Sequence, residues 1–326
     1  MIVNHGRYHA DVPALARAPA ENEYGGKNMK TVIVGMGALG ILYGNRIAET
    51  LGKDAVTFLA DEERVARYQK ETFYCNGKEC DFQITSKPEV ADLVIFAVKG
   101  TTLKEAMELS KDAVGEDTIL LSVLNGISSE EMMAAYFEKG HIVHCIAQGM
   151  DAVKLGNELT YAHEGELRIG TPDLADIYYV ERAAKMLEMA GIPYVVEEDI
   201  LHRLWGKWML NVGVNQVVMV EEGTYDTIQK PGEARERMIN AMKEVQKLSE
   251  LAGTGVTMED LEKYVALVDT LNPDGMPSMR QDGLLKRPSE VDFFAGAVIA
   301  KAKQYQMAVP VNEGLYAQVK AMEAAY

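Results

Sequence analysis

Apolar runs too short to be helices alternate with amphipathic stretches along residues 29–197, and from Ile200 onward only the longer helical period persists. "KTVIVG" reads as a buried strand, followed by a glycine turn and a helix from Ala38 to Leu51. "DAVTFLA" (54–60), "ADLVIFAVKG" (91–100) and "EDTILLSVLNG" (116–126) are the next strong strands. Between them "DEERVARYQK", "TTLKEAMELSKDAV" and "SSEEMMAAYFEK" read as helices, the last with serine caps and early acids. "HIVHCIAQGMDAV", "NELTYA" and "ELRIG" are shorter strands. Strands alternating with helices predict a mostly parallel sheet covered on both faces. The helical stretches beyond it are 200–220, 231–252, 257–269 and 289–307, with the turn-rich "LNPDGMPSMRQD" between the last two. The expected fold is therefore α/β: a sheet unit over 29–197 and an all-helical unit over 198–326.

The turn after the first strand, Gly35-Met36-Gly37-Ala38-Leu39-Gly40, is a GxGxxG. The pattern alone is weak, but here it follows a strand, opens a helix and begins a βαβ unit, the context that dinucleotide binding requires. Gly35 permits the tight turn, Gly37 lets backbone approach a pyrophosphate, and Gly40 allows close helix–sheet packing. The sheet unit is thus expected to be Rossmann-type. Strand two ends at Leu59-Ala60-Asp61, where an acid suits a free ribose 2′-hydroxyl, yet Arg64 and Arg67 follow and suit a 2′-phosphate. Asp61 could equally be no more than the N-cap of the next helix.

Composition narrows the partners. Asp and Glu number 49 against 33 Lys and Arg, a formal net charge of −16, which disfavours nucleic acid and anionic membrane. No run approaches the roughly 18 apolar residues of a membrane span. Cys75, Cys80 and Cys145 are too few for a disulfide framework and fit a reducing, cytoplasmic compartment. The Cys75–Cys80 pair lacks a second ligand pair, so no metal site is expected. Residues 1–28 have weak periodicity and no long apolar stretch, and a second methionine, Met29, stands just before the first strand. They are expected to be an extension outside the fold.

The chemistry sits elsewhere. Lys99 and Asn125 end two strong strands, where an open α/β sheet places its ligand crevice. In "LWGKWMLNVGVNQVVMV" (204–220), Lys207, Asn211 and Asn215 fall in one stripe at i, i+4 and i+8, among tryptophan, valine, leucine and methionine. A solvated helix face is the plain alternative, but such faces favour Glu, Lys and Gln over asparagine, a poor helix former. A helix apolar around most of its circumference is buried, so the stripe needs partners inside. A desolvated lysine becomes a proton donor near neutral pH. Glu290 alone reads as an acid at a helix start, and Ser278 alone as a loop serine.

Taken in order, Gly35–Gly40, Val98-Lys99, Asn125-Gly126, Trp205-Gly-Lys207 with Asn211 and Asn215, Pro277-Ser278-Met279 with Gln281-Asp282, and Glu290-Val-Asp292 resemble the 2-dehydropantoate 2-reductase (ketopantoate reductase) family, from Met29 to the C-terminus. The resemblance implies reduction of 2-dehydropantoate to (R)-pantoate in pantothenate biosynthesis, with Lys207 as proton donor. It implies that Asn211, Asn215, Ser278 and Lys207 bind the 2-oxo acid. Gly35, Met36, Gly37, Ala38, Leu39, Gly40, Lys99, Asn125 and Glu290 would hold the cofactor, NADP(H) in preference to NAD(H). Two departures stand out: Ala60 occupies a position where the family often has arginine, and "MVEEGTYD" (219–226) lacks an asparagine sometimes found there. Another branched 2-oxo acid is therefore an alternative substrate, and a non-catalytic dinucleotide sensor an alternative role. Oligomeric state is not legible, a homodimer being one option.

Overall fold

The structure, a computed structural model, describes residues 29–326; the expected extension at 1–28 lies outside the described residues. In chain order the first half carries β1 (Thr31–Val34), α1 (Ala38–Leu51), β2 (Val56–Leu59), α2 (Glu62–Tyr68), β3 (Phe73–Cys75), β4 (Lys78–Cys80), β5 (Gln83–Thr85) and β6 (Leu93–Phe96). Next come α3 (Leu103–Leu109), β7 (Ile119–Ser122), α4 (Ser129–Tyr136), β8 (His141–Met150), β9 (Val153–Leu155), β10 (Glu158–Thr160), β11 (Glu164–Gly170), α5 (Ile177–Met189) and β12 (Tyr194–Val196). Helices follow: α6 (Ile200–Val220), α7 (Asp226–Gln229), α8 (Glu233–Ala252), α9 (Met258–Val268), α10 (Ser278–Leu284), α11 (Ala295–Gln304) and α12 (Pro310–Glu323).

The main sheet runs β12-β11-β8-β7-β6-β1-β2-β5. From β5 to β8 every pairing is parallel, and β11 then pairs with β8 antiparallel. β1, β6 and β7 are buried along their whole length, as strands covered on both faces must be. The chain leaves β1 toward β2 on one side and reaches β6 on the other, so the strand order reverses at β1/β6. Outside the carboxyl ends of those strands lies the crevice such sheets use for ligands. A small sheet, β4-β3-β10-β9, flanks the main one.

Backbone geometry explains the first turn. Gly35 has φ +112, and a Cβ there would lie 2.5 Å from the Ala97 carbonyl oxygen. A Cβ on Gly40 would lie 2.0 Å from the Gly35 carbonyl oxygen, so α1 packs directly on the turn it leaves.

In the helical half α6 is central. A Cβ on Gly206 would lie 2.9 Å from the Tyr264 hydroxyl of α9, and one on Gly213 2.5 Å from the Met242 side chain of α8. Small residues thus let two helices close on α6, and its apolar circumference is buried against them. The same core takes in Ile127 and Ile146 from the sheet half.

Three sequence expectations need correction. The serines before α4 do not cap it: Ser128 makes no side-chain cap bond, and the Ser129 hydroxyl donates to Glu130 Oε2 at 2.8 Å. The turn-rich "LNPDGMPSMRQD" gives way to α10 from Ser278. The helix expected from 289 starts only at Ala295, after a 3-10 turn over Val291–Phe293.

Gly40→Ala is expected to weaken dinucleotide binding by on the order of tenfold or more, since Ala cannot fit without moving the turn. Gly314→Ala, in open space on α12, is expected to stabilise the fold by up to about 1 kcal/mol through helix propensity alone. Calorimetric titration and thermal unfolding of both variants check the contrast; equal effects would contradict it.

Candidate active site

The glycine turn, the residues after β6 and those after β7 together wall the crevice. One cavity of about 430 Å³ is lined by Gly37, Ala38, Leu39, Lys99, Asn125 and Glu290 among others. A second, of about 700 Å³, shares Gly35 and Val98 with it, includes Met36, and extends to Ala60 and Asp61 beyond β2. The crevice therefore runs continuously past the N-terminus of α1, where Gly37 offers no capping side chain and the first amides of the helix are left for a ligand. Gly40 is buried beneath the turn. At the far end, Asp61 does cap α2, its carboxylate accepting from the Arg64 backbone N–H at 2.7 Å.

Lys207, on α6, meets the crevice through Asn125, which lines it. β7 pairs only with the first residues of β8, Ile119–Leu121 with His141–Val143, so the rest of β8 runs on past the end of β7, paired with β11 alone. There the Ala147 carbonyl accepts from Lys207 Nζ at 2.6 Å. Asn125 Oδ1 accepts from the same nitrogen at 3.3 Å, while Asn125 Nδ2 donates to Glu290 Oε2 at 3.3 Å. One asparagine from the sheet half thus bridges a cation and an acid from the helical half. Burial pushes the Lys207 ammonium down to about 8, against the upward pull of Cys145 and Glu290. Glu290 is 7% exposed; burial holds its carboxyl above the usual range, opposed by the Asn125 hydrogen bond and the nearby Lys99. Glu290 does stand at the start of a helical turn, Val291–Phe293, but it is buried and faces Asn125.

Asn211 and Asn215 extend the stripe. Asn215 is 7% exposed, and among the described residues neither side chain has a protein hydrogen-bond partner. One buried and one half-buried amide left open near an ammonium suit an anionic oxygen-rich ligand. Ser278 stands apart from this set. It is exposed at the first turn of α10, and no hydrogen bond joins it to Lys207, Asn211 or Asn215. One turn on, Asp282 reaches Lys99, its Oδ1 accepting from Lys99 Nζ at 2.6 Å.

Sequence reasoning gave Asp282, Ala147 and Phe293 no role. The Phe293 ring rests where Gly100 has no side chain, 2.4 Å from a Cβ built there, and its carbonyl accepts from Trp208 Nε1 at 3.0 Å. Such contacts join distant segments, and the only legible signal was a glycine directly after Lys99.

A strand, glycine turn and helix beside a crevice at the carboxyl ends of the strands is the arrangement that holds a dinucleotide. Residues 31–173 match the family model described as Ketopantoate reductase PanE/ApbA, and residues 199–323 match Ketopantoate reductase PanE/ApbA C terminal. The chain belongs to this family. A 2-dehydropantoate 2-reductase of Aquifex aeolicus is 26% identical over 310 residues, covering 90% of this chain and 97% of that one. Two solved structures share the fold. The ternary structure of D-mandelate dehydrogenase with NADH and anilino(oxo)acetate has TM-score 0.80 at 22% identity, covering 91% of this chain and 99% of that one. A dimeric ketopantoate reductase from Staphylococcus aureus has TM-score 0.76 at 17% identity with the same coverage. Among the described residues no helix is long and apolar enough to cross a membrane, and no group of His, Cys, Asp and Glu is placed to hold a metal.

The pH dependence of Lys207 labelling by an amine-reactive reagent, read by mass spectrometry, is expected to have its midpoint near 8. In Glu290→Gln the midpoint should fall, because a nearby negative charge is lost. A midpoint near the ordinary 10.5 would contradict the enclosed geometry.

Proposed function

We propose that the protein reduces 2-dehydropantoate to (R)-pantoate in pantothenate biosynthesis, with Lys207 delivering the proton. The observation that carries this reading is the enclosed Lys207 ammonium, pushed down to about 8, beside two amides without protein partners. When bound along the glycine turn, a nicotinamide dinucleotide supplies the hydride. As hydride reaches the C2 carbonyl carbon, charge builds on its oxygen, and Lys207 Nζ gives that oxygen a proton. A lysine with this pKa is mostly protonated at neutral pH yet a much stronger acid than a solvated one. Asn125 and the Ala147 carbonyl fix the nitrogen's position, which removes the entropy of finding the reactive geometry.

The remaining roles belong to the same proposal. Asn211 and Asn215 hold the acid's carboxylate and hydroxyl, with Ser278 as a further substrate contact on the strength of the family match. Gly35–Gly40 and Lys99 hold the dinucleotide, and Glu290 orients Asn125 beside the ribose. Residues 29–197 act as the cofactor unit and 198–326 as the substrate unit. A homodimer is included on the strength of the dimeric Staphylococcus aureus neighbour, and sedimentation velocity tests it. A cytoplasmic location is supported by three free thiols.

A second reading, reduction of another branched 2-oxo acid, is favoured by the absence of asparagine from residues 219–226. The D-mandelate dehydrogenase structure, solved with anilino(oxo)acetate, supports it by showing a different 2-oxo acid analogue on this fold. A panel of 2-oxo acids separates the two: under the first reading kcat/KM favours 2-dehydropantoate by on the order of tenfold or more. Lys207→Ala is expected to lower kcat by about 10²–10⁴-fold while leaving dinucleotide affinity within a few-fold. Near-wild-type turnover in that variant would sink the proton-donor role, and tight dinucleotide binding without turnover of any 2-oxo acid would favour a sensor.

A further inference from the structure

Beyond the glycine turn, the crevice ends where a dinucleotide places its adenosine ribose, against the end of the second strand. The residue following β2 is Ala60, which brings no charge, and the next is Asp61, about 20 residues beyond Gly40, where an acid meets a free ribose 2′-hydroxyl. Arg64 also lines this end, but its charge is offset by Asp61, its Nε lying 3.4 Å from Asp61 Oδ2 in a half-exposed pair. The other lining cation is Lys104, on α3 beside Glu105 and Glu108. Two cations thus face three carboxylates. Even with Glu108 answered by Lys111, the lining is no better than neutral.

A 2′-phosphate carries between one and two negative charges and demands donors and net positive field. A 2′-hydroxyl is neutral and donates a hydrogen bond to a carboxylate. We propose that Asp61 makes this an NADH enzyme by accepting the ribose 2′-hydroxyl and repelling the 2′-phosphate of NADPH. This rests on the crevice being a dinucleotide site, and it departs from the NADP(H) preference implied by the family resemblance. The departure has a residue to account for it: Ala60 removes the cation that would have offset Asp61.

The test measures binding of NADH and of NADPH separately, by isothermal calorimetry without any 2-oxo acid, to wild type, Asp61→Asn and Ala60→Arg. Asparagine caps a helix as well as aspartate, so Asp61→Asn removes charge while keeping α2 in place. Wild type is expected to bind NADH about tenfold or more tighter than NADPH, the scale of one unit charge close by in a wet site. Asp61→Asn should narrow that gap by tightening NADPH, and Ala60→Arg should tighten NADPH without help from the first change. Wild type binding NADPH as tightly as NADH overturns the proposal. So does an unchanged ratio in a folded Asp61→Asn protein. Because no 2-oxo acid is present, an error in the substrate reading leaves this result untouched, whereas binding of neither dinucleotide overturns the crevice reading and the selection together.

Discussion

A cation enclosed between two structural units is the constraint on which this site depends. Lys207 stands on a helix that is apolar around most of its circumference, and a charge withdrawn from water is costly unless other groups solvate it. Its partners come from the opposite unit: the Ala147 carbonyl on the part of β8 beyond the end of β7 and the Asn125 amide after β7. Asn125 is oriented in turn by Glu290 from the helical side. Neither unit alone completes the arrangement. Docking of the two halves is therefore part of making the proton donor, and the halves are joined around it by Arg203 to Gln148, Lys301 to Glu131 and Lys99 to Asp282.

The same helix shows what the arrangement costs. Asparagine is a poor helix former, and Asn211 and Asn215 have no protein hydrogen-bond partner in return. A sequence selected for stability alone would place apolar residues there. The expense is offset by dense packing on every other side of α6. Trp205 and Trp208 meet edge to face with centroids 5.2 Å apart, and Gly206 and Gly213 admit α9 and α8 closely. A rigid frame of this kind is what a positioned acid requires.

Much of this was legible before any coordinates. The α1 boundaries, Ala38 to Leu51, and those of α6, Ile200 to Val220, follow from apolar period and flanking glycine or acid. The crevice was legible because strand–glycine turn–helix is a local pattern, and the Lys207 stripe because i, i+4, i+8 is fixed by helix geometry. The helices at Ile177–Met189 and Pro310–Glu323 were not anticipated, and of the small flanking sheet only β10, within "NELTYA", was. Its other three-residue strands carry too little periodicity to register. Ala147 was invisible for another reason: a backbone carbonyl has no side-chain signature, and its role arises only because β7 stops short beside β8. Asp282 has the same character, an ordinary-looking acid whose partner lies 183 residues away; Glu290, whose partner lies 165 residues away, was placed only through the family resemblance.

The most direct test of the central claim is the pH dependence of hydride transfer in a single turnover, with enzyme, reduced dinucleotide and 2-oxo acid premixed in saturating pairs. If Lys207 is the enclosed proton donor, the wild-type rate falls as pH rises through about 8, because deprotonation removes the acid. In Lys207→Ala the rate should be low throughout and lack that fall. A wild-type rate indifferent to pH across this range, or an identical profile in the variant, would contradict the account.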